Sequence, residues 1–236
     1  MRENSICALC QCLIKENTFF SDLNDRQIDA FKDHIKGSIH KKRKVIYMEG
    51  DKCTGLYIIR LGRVKLVRTS PSGKEQIIRI LEPGGLLGLE SFYDKSTYTN
   101  TAVSMDDTDL CYLEKSAFLD ILAKEPTVAV KIMAALGREL DLAYESIGNL
   151  GLMSAREKLA HLIYSLSLEY GVVEDGVVKL HLGLSRLEMA ELLGITQETS
   201  IRLLKSFKDE GLLEIKRKEL VIRSMDELKR ISGMEH

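Results

Sequence analysis

The run from Ser185 to Ile222, SRLEMAELLGITQETSIRLLKSFKDEGLLEIKRKELVI, constrains this chain more than any other stretch. Glu188 follows Ser185 by three residues, the pairing of a helix capping box, and Gly194 supplies the left-handed turn at which a first helix stops and the chain re-aims. Thr196 then caps a second helix. On that helix Ser200, Leu203, Leu204 and Phe207 recur at i, i+3, i+4 and i+7, so they face a core and leave Gln197, Glu198, Ile201, Arg202 and Lys205 on the opposite side. After Gly211 the run LLEIKRKELVI alternates around a basic tip, Lys216-Arg217-Lys218, and predicts a short hairpin wing.

An exposed face that combines amide, carboxylate, guanidinium and ammonium groups can read base edges. Arg grips guanine O6 and N7 with two hydrogen bonds, Glu accepts from cytosine N4, and Gln pairs with adenine. Gln197, Glu198, Ile201 and Arg202 are thus candidate base-reading residues, while Ser185, Arg186, Thr196 and Lys205 suit phosphate and would set register without reading sequence. The plainer alternative is an ordinary i, i+4 surface pair of Glu198 and Arg202 on an unrelated helical hairpin. The order of two helices, glycine turn and basic wing favours double-stranded DNA as the partner.

A chain of 236 residues with 44% hydrophobic content can fill a core in each of two domains. The formal charge of −1 excludes a global electrostatic footprint, and between Arg202 and Lys218 six basic residues face only Asp209, Glu210 and Glu214. Affinity from one such module would be modest and salt-sensitive, so a dimer presenting two is expected. No apolar run reaches the roughly 18 residues of a membrane helix, and MRENSICALCQC lacks a signal-peptide core, so the expected location is the cytoplasm, with no membrane partner. Five cysteines, an odd count without an export signal, argue against a disulfide framework.

From about 21 to 122 the rhythm changes to short apolar or alternating runs broken by glycine: VIYMEGD, GLYIIRLGRVKLVR, QIIRILEPGGLLGLE, NTAVSMDD and DLCYLE. Ser70-Pro71-Ser72-Gly73 is a turn between two of them. Many short strands spaced in this way predict a small barrel or roll. A helix should precede it, with Asn24 and Gln27 as its capping box and Leu23 and Ile28 as its hydrophobic staple. Ala129, Met133, Leu136, Leu140, Ala143, Ile147 and Leu150 then form a heptad seam that wants a partner helix, while Val130, Ile132 and Leu142 widen the stripe. Two-fold pairing through the seam would offer two reading helices to a pseudo-palindromic site about 34 Å apart, one DNA turn.

EGDKCTGLYIIRLGRVKL, the glycine-bounded GGLLGLE, the long connecting helix and LSRLEMAELLGITQETSIRLLKSFKDEGLL together resemble the Crp/Fnr superfamily of transcription regulators, over about 20 to 225. The resemblance implies an α+β chain in four parts: a cysteine-bearing tail at 1–20, a double-stranded β-helix or jelly-roll sensor barrel at 21–122, a dimerisation helix at 123–151 and a winged helix-turn-helix at 152–236. It also implies a homodimer, RNA polymerase as a partner, and base reading by Glu198 and Arg202. Ile201 stands where Fnr-like members usually carry Ser.

Members of the superfamily that bind cyclic AMP place a Glu on the ribose and an Arg-Ser pair on the phosphate, after the GGLLG-like turn. Here GGLLGLESFYDKSTYTNTAVS holds no Arg and Lys95 as its one cation, with Tyr98-Thr99 where Arg-Ser would fall. A buried phosphate needs such donors, so cyclic AMP is not expected; Gly88, Glu90, Tyr98 and Thr99 remain the candidate pocket for another small ligand. Fnr-like oxygen sensors use three N-terminal cysteines and a distant one for a [4Fe–4S] cluster, which makes Cys7, Cys10, Cys12 and Cys111 its candidate ligands. The C-x2-C-x-C spacing is tighter than the usual one, Cys53 sits in a turn, and two alternatives stay open: a thiol or zinc switch, or no metal with Cys111 a small buried hydrophobe. No HExxH, GxSxG, P-loop or GxGxxG occurs, and His34, His40, His161, His181 and His236 lack metal spacing, so no enzyme is expected. A ligand-binding module acting on a protein partner is the other alternative, but it gives the 197–205 face no purpose.

Overall fold

The computed structural model describes residues 24, 27, 31, 33–89, 97–181, 183–216 and 219–234. The chain divides into two compact units, the first ending at Leu140 and the second beginning at Asp141.

The first unit carries β1 (Ile35–His40), β2 (Val45–Tyr47), β3 (Gly55–Leu61), β4 (Val64–Thr69), β5 (Glu75–Leu81), β6 (Leu86–Leu87), β7 (Thr101–Ser104) and β8 (Thr108–Glu114), then helix α1 (Lys115–Lys124). The strands form two four-stranded sheets, ordered β1-β8-β3-β6 and β2-β7-β4-β5, antiparallel throughout. The expected barrel is therefore a roll of two open sheets. Alternation along the central strands buries both faces of the first sheet. Ile59 of β3 and Leu110 of β8 join Tyr47, Val64, Leu81, Leu87 and Ala102 in a cluster to which both sheets contribute. Leu56 and Ile58 of β3, with Cys111 and Leu113 of β8, point the other way, onto Phe118 and Ile121 of α1 and Val128 and Ile132 beyond it. The capping box ahead of the roll forms as expected: Asn24 and Gln27 exchange backbone-to-side-chain hydrogen bonds of 3.1 and 3.0 Å. Its staple, Leu23 and Ile28, lies outside the described residues.

Helix α2 runs from Pro126 to Leu152 and crosses the boundary between the units. It starts three residues later than the 123 expected, because Pro cannot continue α1 but is well placed in a first helical turn. Ile132 is buried against α1, and Glu139 pairs with Arg79 of β5 at 2.6 Å. The heptad positions do the opposite: Met133 is 61% and Ile147 66% exposed, with Leu136, Leu140 and Leu150 also open, as is Val130 beside them. Among the described residues no helix is long and apolar enough to cross a membrane.

The second unit continues with α3 (Ala155–Tyr170), β9 (Val172–Glu174), β10 (Val177–Leu180), α4 (Arg186–Leu193), α5 (Gln197–Asp209), β11 (Leu213–Lys216), β12 (Glu219–Ile222) and α6 (Met225–Ile231). β11 and β12 form the expected hairpin, Leu213 opposite Ile222 and Lys216 opposite Glu219. They belong to a larger sheet, ordered β11-β12-β10-β9. The β9–β10 hairpin is not among the sequence expectations, although its signal is present: Asp175-Gly176 between Val172-Val173-Glu174 and Val177-Val178, both at positive φ (51° and 75°), as a tight hairpin turn requires. Leu159, Ile163, Met189, Leu193, Leu204, Phe207, Leu213, Leu220 and Leu228 gather the helices and this sheet around one core.

Candidate nucleic-acid interface

Helices α4 and α5 are built by the local rules the sequence carries. The Glu188 carboxylate accepts from Ser185 N–H at 2.7 Å while Ser185 Oγ accepts from Glu188 N–H at 3.2 Å, and Gly194 ends α4 in the left-handed conformation. Thr196 Oγ1 accepts from Thr199 N–H at 3.2 Å and starts α5. Both hydroxyls spend acceptor capacity on capping; Thr196 Oγ1 also lies 3.0 Å from Thr199 Oγ1, while the Ser185 hydroxyl keeps an O–H with which to donate outward.

The two sides of α5 differ as the spacing predicts. Ser200, Leu204 and Phe207 are buried and Leu203 is half-buried, whereas Gln197, Glu198, Ile201, Arg202 and Lys205 are exposed. Arg186 at the start of α4 is exposed too. Among the described residues Glu198 and Arg202 form no ion pair, with each other or elsewhere, and Arg186 and Lys205 have none either. Three other arginines of this unit are committed: Arg156 to Glu210, Arg223 to Glu214 and Arg230 to Glu227. The i, i+4 surface pair that offered the plainer reading of 198 and 202 is not formed. Gln197, Glu198, Arg202 and Lys205 stay available to an outside partner, and the wing residues Arg217 and Lys218 lie outside the described residues.

One contact that positions α5 escaped sequence reasoning. Arg156, in the first turn of α3, donates to Glu210 Oε1 at 2.8 Å and Oε2 at 2.5 Å and to Ser206 Oγ at 3.3 Å, with its guanidinium 4.8 Å from the centre of the Phe207 ring. This holds the C-terminal end of α5, and the guanidinium with the Ser206 hydroxyl pulls the Glu210 carboxyl down to about 2. Fifty-four residues separate Arg156 from Glu210, and no local pattern announces the pair.

In the first unit the candidate effector residues divide. Tyr98, expected to line a pocket, is instead a core side chain, 3% exposed; its ring stacks on Tyr47 at 3.7 Å between centres, and its hydroxyl donates to the Gly55 carbonyl at 3.3 Å. Gly88 packs under it at φ +80°, where a Cβ would come within 3.0 Å of the Tyr98 ring and 2.7 Å of the Gly55 carbonyl. Burial, with the Cys53 thiol and Tyr57 beside it, holds the Tyr98 phenol well above its ordinary range. Thr99 is half-buried, its carbonyl accepting from Arg68 Nε at 3.2 Å, and Glu90 and Lys95 lie outside the described residues. Cys7, Cys10 and Cys12 also lie outside them. Cys111 is 1% exposed on the helix-covered face of β8, and Cys53 belongs to the separate cluster between the sheets. Among the described residues no three His, Cys, Asp or Glu side chains gather as a metal site. His161 sits on α3, its ring nitrogen 3.5 Å from the Asn149 side-chain amide.

Residues 39–125 match the family described as Cyclic nucleotide-binding domain, and residues 157–231 match the Crp-like helix-turn-helix domain. The chain is 31% identical over 230 residues to an anaerobic regulatory protein of Aggregatibacter actinomycetemcomitans, covering 96% of this chain and 89% of that one. It belongs to the Crp/Fnr superfamily of transcription regulators. A cyclic AMP receptor protein of Thermus thermophilus is 28% identical over 202 residues, 86% of this chain and 90% of its own. A CooA variant from Carboxydothermus hydrogenoformans shares the fold, with a TM-score of 0.75 at 24% identity over 95% of each chain. The first match falls on the two open sheets and α1, the second on α3 to α6, so this Crp/Fnr regulator carries a β-rich cyclic-nucleotide-binding-type domain followed by a helix-turn-helix DNA-binding domain.

Proposed function

We propose that this regulator acts as a homodimer in the cytoplasm, reading a pseudo-palindromic operator with Gln197, Glu198, Ile201 and Arg202 of α5 in the major groove. Ser185, Arg186, Thr196 and Lys205 grip the flanking phosphates. The observation that carries this reading is the exposed and uncommitted polar face of α5, in a domain where Arg156, Arg223 and Arg230 are all held by carboxylates. The open apolar seam of α2 supports pairing with a second copy, which would place two modules on successive turns of one face of the duplex. RNA polymerase is the further partner that superfamily membership suggests. Enrichment from a randomised duplex pool, read by gel shift under reducing and aerated conditions, tests the proposal. It should yield an inverted-repeat motif, and a pool that enriches nothing under either condition would end it.

For the signal, the reading rests on thiols rather than on cyclic AMP. A cyclic nucleotide's phosphate needs buried cations or several donors, whereas residues 84–104 contain no Arg and have Lys95 as their one cation, and the Tyr98 side chain belongs to the core. Calorimetric titration with cyclic AMP should show no tight binding. The anaerobic regulatory relative supports an oxygen- or redox-linked signal. Cys7, Cys10, Cys12 and Cys111 would supply the four thiolates a [4Fe–4S] cluster requires, and such a cluster would contribute an oxygen-labile centre. Cys111 would offer that centre a thiol shielded from solvent by α1 and the start of α2. Anaerobic purification followed by visible absorption and iron assay decides: colourless, iron-free protein would leave a metal-free thiol switch or a small-molecule signal. Effector state would shift the balance between two packings of α2 and so the spacing of the reading helices; scattering curves identical with and without the signal would argue against that step.

A further inference from the structure

We infer that Ile201 selects a thymine in each half-site, by packing on the C5 methyl group beside the guanine that Arg202 grips. The inference rests on the DNA-reading role proposed for α5 and extends it to one base pair.

Ile201 is 40% exposed and lies outside the core cluster that takes in Leu203, Leu204 and Phe207. Its neighbours along the same face, at i−4, i−3 and i+4, are Gln197, Glu198 and Lys205, all exposed and polar. A lone exposed aliphatic residue is ordinarily unremarkable. This one interrupts a row of hydrogen-bonding side chains, and a β-branched residue brings no helix propensity to explain its presence. Its position next to Arg202 puts it against a neighbouring base pair when Arg202 reaches guanine O6 and N7.

The major groove offers one apolar target. Guanine, cytosine and adenine present acceptors and donors there, and an Ile side chain laid on them strips water without replacing the lost hydrogen bonds. Thymine presents a methyl group, on which the branched Ile side chain can close and exclude water. A Ser at the same position could instead bond to polar edges, so Ile narrows the choice to thymine.

The test uses the full chain and the operator recovered from the randomised pool. Each symmetric pair of thymines is replaced in turn by deoxyuridine, which removes only the methyl group and keeps every hydrogen bond. At one pair the wild-type protein should lose about fourfold per half-site and about fifteenfold when both are changed, the factor expected for one methyl-sized group per site. Ile201→Ser should bind the thymine operator more weakly and be indifferent to the swap, whereas Ile201→Val should remain sensitive. If every swap affects wild type and Ile201→Ser alike while Arg202→Ala still weakens binding to the operator and relaxes the preference for guanine, the methyl contact is wrong and the DNA-reading role stands. If no operator can be recovered, both fall together.

Discussion

Ser200 shows what the packing of α5 demands of single residues. It is fully buried on the inner face, and its hydroxyl finds no hydrogen-bond partner among the described residues. A small side chain is wanted there, and the oxygen is a burden. Ser200→Ala should therefore raise the urea midpoint, by about 1 kcal/mol of stability, with operator binding unchanged. Gly88 is the opposite case. At φ +80°, with the Tyr98 ring and the Gly55 carbonyl where a Cβ would sit, Gly88→Ala should lower thermal stability by about 1–3 kcal/mol. Arg202 faces outward and holds nothing inside the protein, so Arg202→Ala should leave the melting temperature alone. In a gel shift it should cost about 1–3 kcal/mol of specific affinity and little of the non-specific binding. The polar row on α5 was readable from spacing alone, because helical periodicity sorts residues into faces within two turns. That its charges are uncommitted was not, because that depends on where the acids of other elements lie.

At the scale of elements, α5 is held at both ends by different means. Its start is a Thr196 cap, its end the Arg156–Glu210 pair with Ser206 and the Phe207 ring. Glu210 has its folded-state pKa depressed to about 2, below its ordinary 4.5, so the stability it contributes is present above 4.5 and is lost as the pH falls from there toward 2. Melting curves of wild type and Arg156→Ala should accordingly differ most near neutrality and converge across that acidic interval. A gap that stays constant with pH would show that Arg156 acts by packing on Phe207 alone. Ser185→Ala removes one half of the α4 capping box and should cost about 1 kcal/mol, measured by denaturant unfolding. The capping boxes were visible in the sequence since their partners lie three residues apart. The β9–β10 hairpin is hard to read from sequence despite its Asp175-Gly176 turn, because β9 is three residues long and ends on Glu174, too brief a pattern to show alternation.

For the whole molecule, the decisive feature is the stripe along α2. Met133, Leu140 and Ile147 stand open to solvent in a single chain, while Val128 and Ile132 of the same helix are buried in the first unit. An apolar seam of this length is stable in water when a second helix covers it. Leu140→Glu with Ile147→Glu should convert a dimer into a monomer by analytical ultracentrifugation and leave the circular dichroism of both units intact. Operator affinity should then fall steeply, since one module with so mild a basic excess loses the effective concentration a second one supplies. Wild-type protein that sediments as a monomer at the concentrations where it binds its operator would contradict this arrangement.

Taken by itself, the amino-acid sequence determined the order of the parts, the capped helices, the exposed polar face of α5 and the seam of α2. Each of these is written in contacts three or four residues apart or in a repeat that a helix converts directly into a stripe. The tertiary structure alone decided which way the side chains of the first unit turn. Alternation told that β8 has two faces, but only the packing of α1 and α2 put Cys111 beneath helices and Leu110 between sheets. The same holds for Tyr98, whose place where the superfamily's Arg-Ser pair would fall suggested a pocket wall. Stacking on Tyr47, fifty-one positions away, drew it into the core, and an interaction across that distance leaves no local trace.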